Sequence, residues 1–181
     1  MLGTTIDPGD PDRIAIENWA ESIDGRILDV GSGTGRWSGH LANRGHDVEG
    51  IEPAEEFVEI AKRTNPSVPF RTAALDDLPA MGKLWSGILA WYSLIHLAPD
   101  DLPAAVATLR GVLHPGGGIL IGFFDGPRVE PVNHPVAPAY QWSMKAMIGV
   151  LEDAGFIIES HRDSSQGPGE SPHAMITAHA A

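Results

Sequence analysis

Two periods of apolar spacing alternate along this chain. Residues 11–23, "PDRIAIENWAESI", place Ile14, Trp19 and Ile23 on one helical face, with Pro11 and Asp12 at the start. "RILDV" is a short apolar strand, and "GRWSGHLANRG" after it is a helix closed by Gly45. "DVEGIE" is a second strand; "AEEFVEIAKRT" is a helix with Phe57, Ile60 and Ala61 on one side. "VPFRT" is a third strand, ahead of the turn-rich "LDDLPAMG", and "WSGILAWYSL" is a buried fourth. "PDDLPAAVATLRGVLHPGGG" is predicted as a helix ending in a Pro-Gly-Gly turn, and "GILIGFF" as the next buried strand. Residues 125–140 are proline-rich and predicted strandless. "SMKAMIGVLEDAG" is the last helix, capped by Gly155, and "FIIESH" and "AMITAHA" are paired strands around a Gly/Pro/Ser loop.

Strands that alternate with helices predict a parallel sheet covered on both faces and joined by right-handed crossovers. The expectation is an α/β fold: one Rossmann-like, doubly wound domain over residues 1–181, with a mostly parallel seven-stranded sheet. Its last two strands have no helix between them and should form an antiparallel hairpin. In such sheets ligands sit beyond the carboxyl ends of the strands. The segment 125–140 follows the fifth strand and should therefore overhang that edge. The loop "RDSSQGPGES" reaches the same side and is a candidate lid.

The 181 residues carry 12 basic and 24 acidic side chains, a net charge of −12. Such a surface repels phosphate backbones, which argues against nucleic acid as a partner. The chain has no cysteine, so disulfides, thiolate metal sites and Cys nucleophiles are excluded. No metal is expected. Nothing in the chain matches a signal peptide or a bilayer span, so a cytoplasmic, membrane-free protein is expected. Monomer and homodimer both stay open.

"ILDVGSGTGRW" places Gly31, Gly33 and Gly35 at alternate positions behind the first strand. A glycine turn allows positive φ and close backbone approach, and the helix after it offers free N–H groups. The dinucleotide pattern GxGxxG needs a glycine where Arg36 stands, and it fails there. The segment resembles motif I of the class I S-adenosylmethionine-dependent methyltransferases, matched by Ile27-Leu28-Asp29-Val30-Gly31-Ser32-Gly33-Thr34-Gly35. The resemblance implies that the methionine part of the cofactor lies against this backbone, and that Asp29 braces the loop and helps hold the cofactor's ammonium group. It also implies an acid at the end of the second strand for the ribose hydroxyls, which "GIEPAEEF" supplies as Glu52. Near adenine the family has an acid, then an apolar residue. Aligning on Leu78-Pro79 puts Ala74 and Leu75 there, so the acid is missing, and Asp76 and Asp77 are alternative partners for the exocyclic amine. "VLHPGGGILIGFF" matches the family's entry into the fifth strand. The implied cofactor side comprises Asp29, Gly31, Ser32, Gly33, Gly35, Trp37, Glu52, Pro53, Ala74, Leu75 and Trp91. S-adenosylhomocysteine would be the product.

Methyl transfer is an in-line displacement at carbon, so alignment, water exclusion and removal of the acceptor's proton are what the protein supplies. The fourth strand's end, "AWYSLIHLAP", offers His96 as a general base, since an ordinary histidine titrates near neutrality. Tyr92 is a second catalytic candidate. Trp91 and Tyr92 either face the sulfonium or close the core. Arg128, His134, Tyr140 and Trp142 are candidate contacts for a small-molecule acceptor, Arg128 for an acidic one. The Asp/Asn-Pro-Pro-Tyr signature of DNA amino-methylating enzymes is absent, in line with the charge. Two alternatives remain. One is a module that binds S-adenosylmethionine without turnover, the other an NAD(P)-dependent oxidoreductase, which the missing Tyr-x-x-x-Lys pair disfavours.

Overall fold

The structure, a computed structural model, describes residues 3–134, 137–164 and 172–181. The candidate lid loop falls largely outside the described residues. Helix α1 covers Arg13–Glu21, followed by β1 (Ile27–Val30), α2 (Arg36–Asn43), β2 (Val48–Glu52), α3 (Glu55–Thr64) and β3 (Phe70–Thr72). Then come β4 (Trp85–Trp91), α4 (Leu102–Gly111), β5 (Leu113–Asp125), β6 (Glu130–Val132) and β7 (Ala139–Trp142). The chain closes with α5 (Met144–Asp153), β8 (Phe156–Ser164) and β9 (His173–Ala180). No helix among the described residues is long and apolar enough to cross a membrane.

The central strands run β3-β2-β1-β4-β5, all parallel, and β9 adds to β5 antiparallel with β8 outside it. The order reverses between β1 and β4, which opens a crevice at their carboxyl ends. Period-2 alternation divides the core. Ile27, Leu89 and Leu120 face α1 and α2, where Ile16, Trp19, Trp37 and Leu41 pack on them. Leu28, Ile88, Ala90, Ile119 and Ile121 face the other way, against Leu102, Val106 and Leu109 of α4 and Met147 and Leu151 of α5. Both faces are covered, which is why these strands read as continuous apolar runs.

Four expectations change. The sheet has nine strands among the described residues, not seven, because the segment predicted strandless forms the β6–β7 hairpin. The helix predicted through the Pro-Gly-Gly turn stops at Gly111, and His114–Gly117 belongs to β5 as an irregular excursion. There the ladder slips from Trp85–Leu113 pairing to Gly87–Gly118. On α1 the buried residues are Ile16, Glu17, Trp19 and Ala20, while Ile14, predicted inward, is 62% exposed.

The hairpin's position matters most for function. β7 pairs with β5 only at Phe124 and Asp125, beyond the last β4 partner, Gly122. The opposite edge of β5 is already taken at Phe124 by His173 of β9. β7 therefore lies on the β4 side and continues the sheet past the point where β4 ends. The hairpin overhangs the β4 carboxyl end, as expected for 125–140, but does so as ordered sheet.

Candidate functional site

The glycine turn after β1 holds all three glycines in the left-handed region, at φ 67°, 53° and 77° for Gly31, Gly33 and Gly35. Their surroundings differ. A Cβ on Gly31 would lie 2.4 Å from Ser93 Cβ, and one on Gly35 would lie 2.7 Å from Phe70 Cζ and 2.9 Å from Ala61 Cβ. Those two glycines let protein segments approach each other. A Cβ on Gly33 would meet nothing within 4 Å. Gly33 is the one that leaves open space.

Glu52, at the end of β2, stands across from this opening. It is buried; Oε2 accepts the Gly33 N–H at 3.0 Å and Oε1 accepts the Ala54 N–H at 3.0 Å. The carboxylate thus ties the two loops together and still has lone pairs for further donors. Pro53, next to it, is exposed.

Asp29 is buried under the turn, and Ser38 Oγ of α2 donates to its Oδ2 at 2.5 Å. Burial pushes its carboxyl up to about 6; the Ser38 bonds work against that, and the charge of Glu52 adds to it. Ser32 is buried, and its N–H bonds to the Ile51 carbonyl at 2.9 Å, docking the turn onto β2. Trp37, expected on the cofactor side, is instead a core residue, its ring edge-on to Trp91 at 6.4 Å. On the adenine side Leu75 is half-buried and Ala74 exposed. Asp77 is occupied locally, accepting the Ala74 N–H at 2.8 Å.

The N-terminal segment crosses the same edge. Thr34 Oγ1 donates to the Gly3 carbonyl at 2.7 Å, and Arg36 pairs with Asp10 at 3.3 Å. Burial raises the Asp12 carboxyl, with Asp10 adding to the rise; His173, a hydrogen bond from Trp91 and Arg162 offset it. Asp10, Asp12, Asp29 and Glu52 thus give this edge an acidic character.

At the β4 end, Tyr92 packs against Trp91 (5.4 Å between ring centroids) and Phe124 (5.2 Å). His96 Nδ1 lies 2.9 Å from the Pro138 carbonyl in the hairpin. A carbonyl only accepts, so Nδ1 carries the proton and Nε2 is the basic nitrogen. The His134 ring is 5.1 Å from His96 and 5.9 Å from Phe124. Burial lowers the His134 pKa, and His96 lowers it further.

The remaining acceptor candidates scatter. Tyr140 is half-buried against the core, and Trp142 is a core residue. Arg128 is exposed and paired with Glu130 at 2.7 Å. Tyr92, His96 and His134 are brought together; Arg128 and Trp142 do not join them. Sequence reading missed Phe124, Asp12 and His173, the last of which hydrogen-bonds the Tyr92 hydroxyl. Among the described residues no group of three or more His, Asp or Glu side chains could hold a metal ion, and the chain has no cysteine.

A family profile described as "methyltransferase domain" matches residues 27–117. An uncharacterized methyltransferase of Oceanobacillus iheyensis is 29% identical over 132 residues, covering 73% of this chain and 62% of that protein. A dTDP-3-amino-3,6-dideoxy-alpha-D-glucopyranose N,N-dimethyltransferase of Streptomyces fradiae is 32% identical over 97 residues, covering 52% of this chain and 38% of that protein. The chain thus spans less than two thirds of the length of these relatives. Among solved structures, the Burkholderia thailandensis 1,6-didemethyltoxoflavin-N1-methyltransferase, bound to 1,6-didemethyltoxoflavin and S-adenosylhomocysteine, superposes with TM-score 0.78 at 22% identity, covering 92% of this chain and 76% of that one.

Proposed function

This chain belongs to the class I S-adenosylmethionine-dependent methyltransferase family, and from that premise we propose that it methylates a small-molecule acceptor. S-adenosylmethionine, when bound, supplies a methyl group on a positively charged sulfur and is released as S-adenosylhomocysteine. The observation that carries the reading is the pairing of Gly33, whose Cβ direction is empty, with the buried Glu52 carboxylate held against its N–H. That is a cradle with an acceptor for a vicinal diol at its side. Gly33 and Glu52 would hold the nucleoside, Asp29 would support the loop from below, and Leu75 would lie against the base. The acidic edge suits a ligand carrying sulfonium and ammonium charges.

The acceptor belongs at the β4 end, under the β6–β7 hairpin. His96 ties that hairpin down through Pro138 and keeps Nε2 basic, which makes it a candidate to take the acceptor's proton. The acceptors named for the relatives, a dTDP-linked amino sugar and 1,6-didemethyltoxoflavin, support a small-molecule acceptor over a macromolecule. The net charge of −12 supports the same choice.

Isothermal titration of the full chain with S-adenosylmethionine and S-adenosylhomocysteine is the test. Binding of both is expected, and the absence of heat for either rules the reading out. Methyl transfer to a panel of hydroxy- and amino-aromatics separates an enzyme from a binding module.

A further inference from the structure

We propose that Tyr92 and His173 form a proton relay for the methyl acceptor, an inference that rests on the methyltransferase reading above. Tyr92 is the one non-glycine among the described residues with positive φ, at 54°. A side chain takes that conformation rarely, and it persists where the surroundings hold it, as functional sites tend to do. Here the Tyr92 N–H bonds to the Gly122 carbonyl at 3.0 Å, and the ring is fixed between Trp91 and Phe124. The twist sends the phenol across the end of β5 to His173 of β9, where the hydroxyl is hydrogen-bonded to Nδ1. The two rings meet edge to face at 5.3 Å.

The charged groups around the pair come from every neighbouring element. Asp10 and Asp12 face it from the segment before α1, Arg162 of β8 acts on Asp12, and His134 reaches Phe124 from the hairpin side. Burial, together with the two carboxylates, drives the Tyr92 pKa well above its ordinary value. The phenol therefore stays protonated and does not serve as a phenolate base. In the relay it donates its O–H to His173 Nδ1, and its oxygen lone pairs receive the acceptor's proton. As the acceptor oxygen or nitrogen gains the methyl group, its proton passes to Tyr92 Oη while the Tyr92 proton passes to His173 Nδ1. The sulfonium ends as a neutral thioether and His173 as an imidazolium, with Asp12 beside it to balance the charge. His173 acts through Tyr92 and is a positioning residue in this scheme; Tyr92 is the group that touches the acceptor.

Side-chain 15N NMR of the full chain with S-adenosylhomocysteine at pH 8 tests the direction of the bond. An unprotonated, hydrogen-bonded Nδ1 on His173 that shifts in Tyr92→Phe is expected, and a protonated Nδ1 overturns the relay whatever the acceptor is. With any hydroxy- or amino-aromatic that the wild type methylates, Tyr92→Phe and His173→Gln should each lower kcat about 100-fold. S-adenosylhomocysteine affinity should stay within about twofold, since neither change alters the cofactor cradle. Glutamine still accepts from the phenol but takes up no proton, so a purely structural His173 would leave kcat and its pH profile unchanged, and that result overturns the proposal. Transfer of the acidic limb of the profile to His96→Ala instead of His173→Gln also overturns it. Failure of the wild type to bind S-adenosylhomocysteine would sink the methyltransferase reading and the relay with it, whereas a protonated Nδ1 on His173 in a chain that does bind overturns the relay alone.

Discussion

The carboxyl ends of β1 and β2, and those of β4 and β5 with the amino end of the antiparallel β9, are adjoining halves of one sheet edge, built on opposite plans. The first half comes from a short stretch of chain, residues 29–54, and its parts are held by backbone: Glu52 to the Gly33 and Ala54 amides, Ser32 to Ile51. The second half gathers Tyr92, His96, Phe124, His134 and His173 from distant segments and is held by rings and side chains. Backbone cradles suit a ligand whose shape is fixed; side-chain walls can be changed to fit different acceptors without disturbing the fold.

The largest effect separates two glycines of the first half. Gly31→Ala drives a Cβ into Ser93 at positive φ and should cost roughly 2–5 kcal/mol of stability, read as a lower Tm. Gly33→Ala meets open space, so it should cost only about 1 kcal/mol of stability yet weaken S-adenosylhomocysteine binding, read by calorimetry. Equal Tm losses for the two would erase the distinction between packing and cradle glycines.

Asp29 comes next. Its folded pKa, about 6, lies above the ordinary 3.8, so the folded state holds the proton more tightly than the unfolded chain does. Its contribution to stability is fully present below about 4 and is lost as pH rises through about 6. Asp29→Asn should therefore stabilise the protein at pH 8, by up to about 3 kcal/mol, relative to its effect at pH 4. Denaturant titrations of both proteins at the two pH values check this; a pH-independent difference refutes it.

Glu52→Gln keeps the shape but removes the charge-assisted bonds, and a loss of about 10- to 50-fold in S-adenosylhomocysteine affinity is expected by calorimetry. The smallest effect belongs to the second half. His96→Ala frees Pro138 and should cost under about 1 kcal/mol. Hydrogen exchange should rise at the β6–β7 amides and stay unchanged at the glycine turn. Faster exchange at the turn would mean that the halves are coupled.

Legibility in the sequence follows the same division. The turn, Glu52 and the alternation of strands and helices were readable because each depends on neighbours a few residues away. The reading failed where a long-range register decides. Ile14 sits at a helical spacing that looks inward, but α1 turns its Ile16–Trp19–Ala20 face to the sheet. The 125–140 segment carries prolines that discourage strands, yet Pro131 is tolerated on β6, which pairs on one side with β7. Trp37 follows the glycine turn in sequence and still points into the core, because α2 starts with its buried face toward β1 and β4.

By itself the sequence determined the doubly wound α/β plan and the glycine turn with its strand-end carboxylate, since hydrophobic period, glycine φ and one acid at a strand end are local properties of the chain. Only the tertiary structure decided which glycine faces open space, where the hairpin lies, and that His173 meets Tyr92. Those depend on the pairing of β9 with β5 and of β7 past the end of β4, and strand register at that separation is set by packing of the whole sheet.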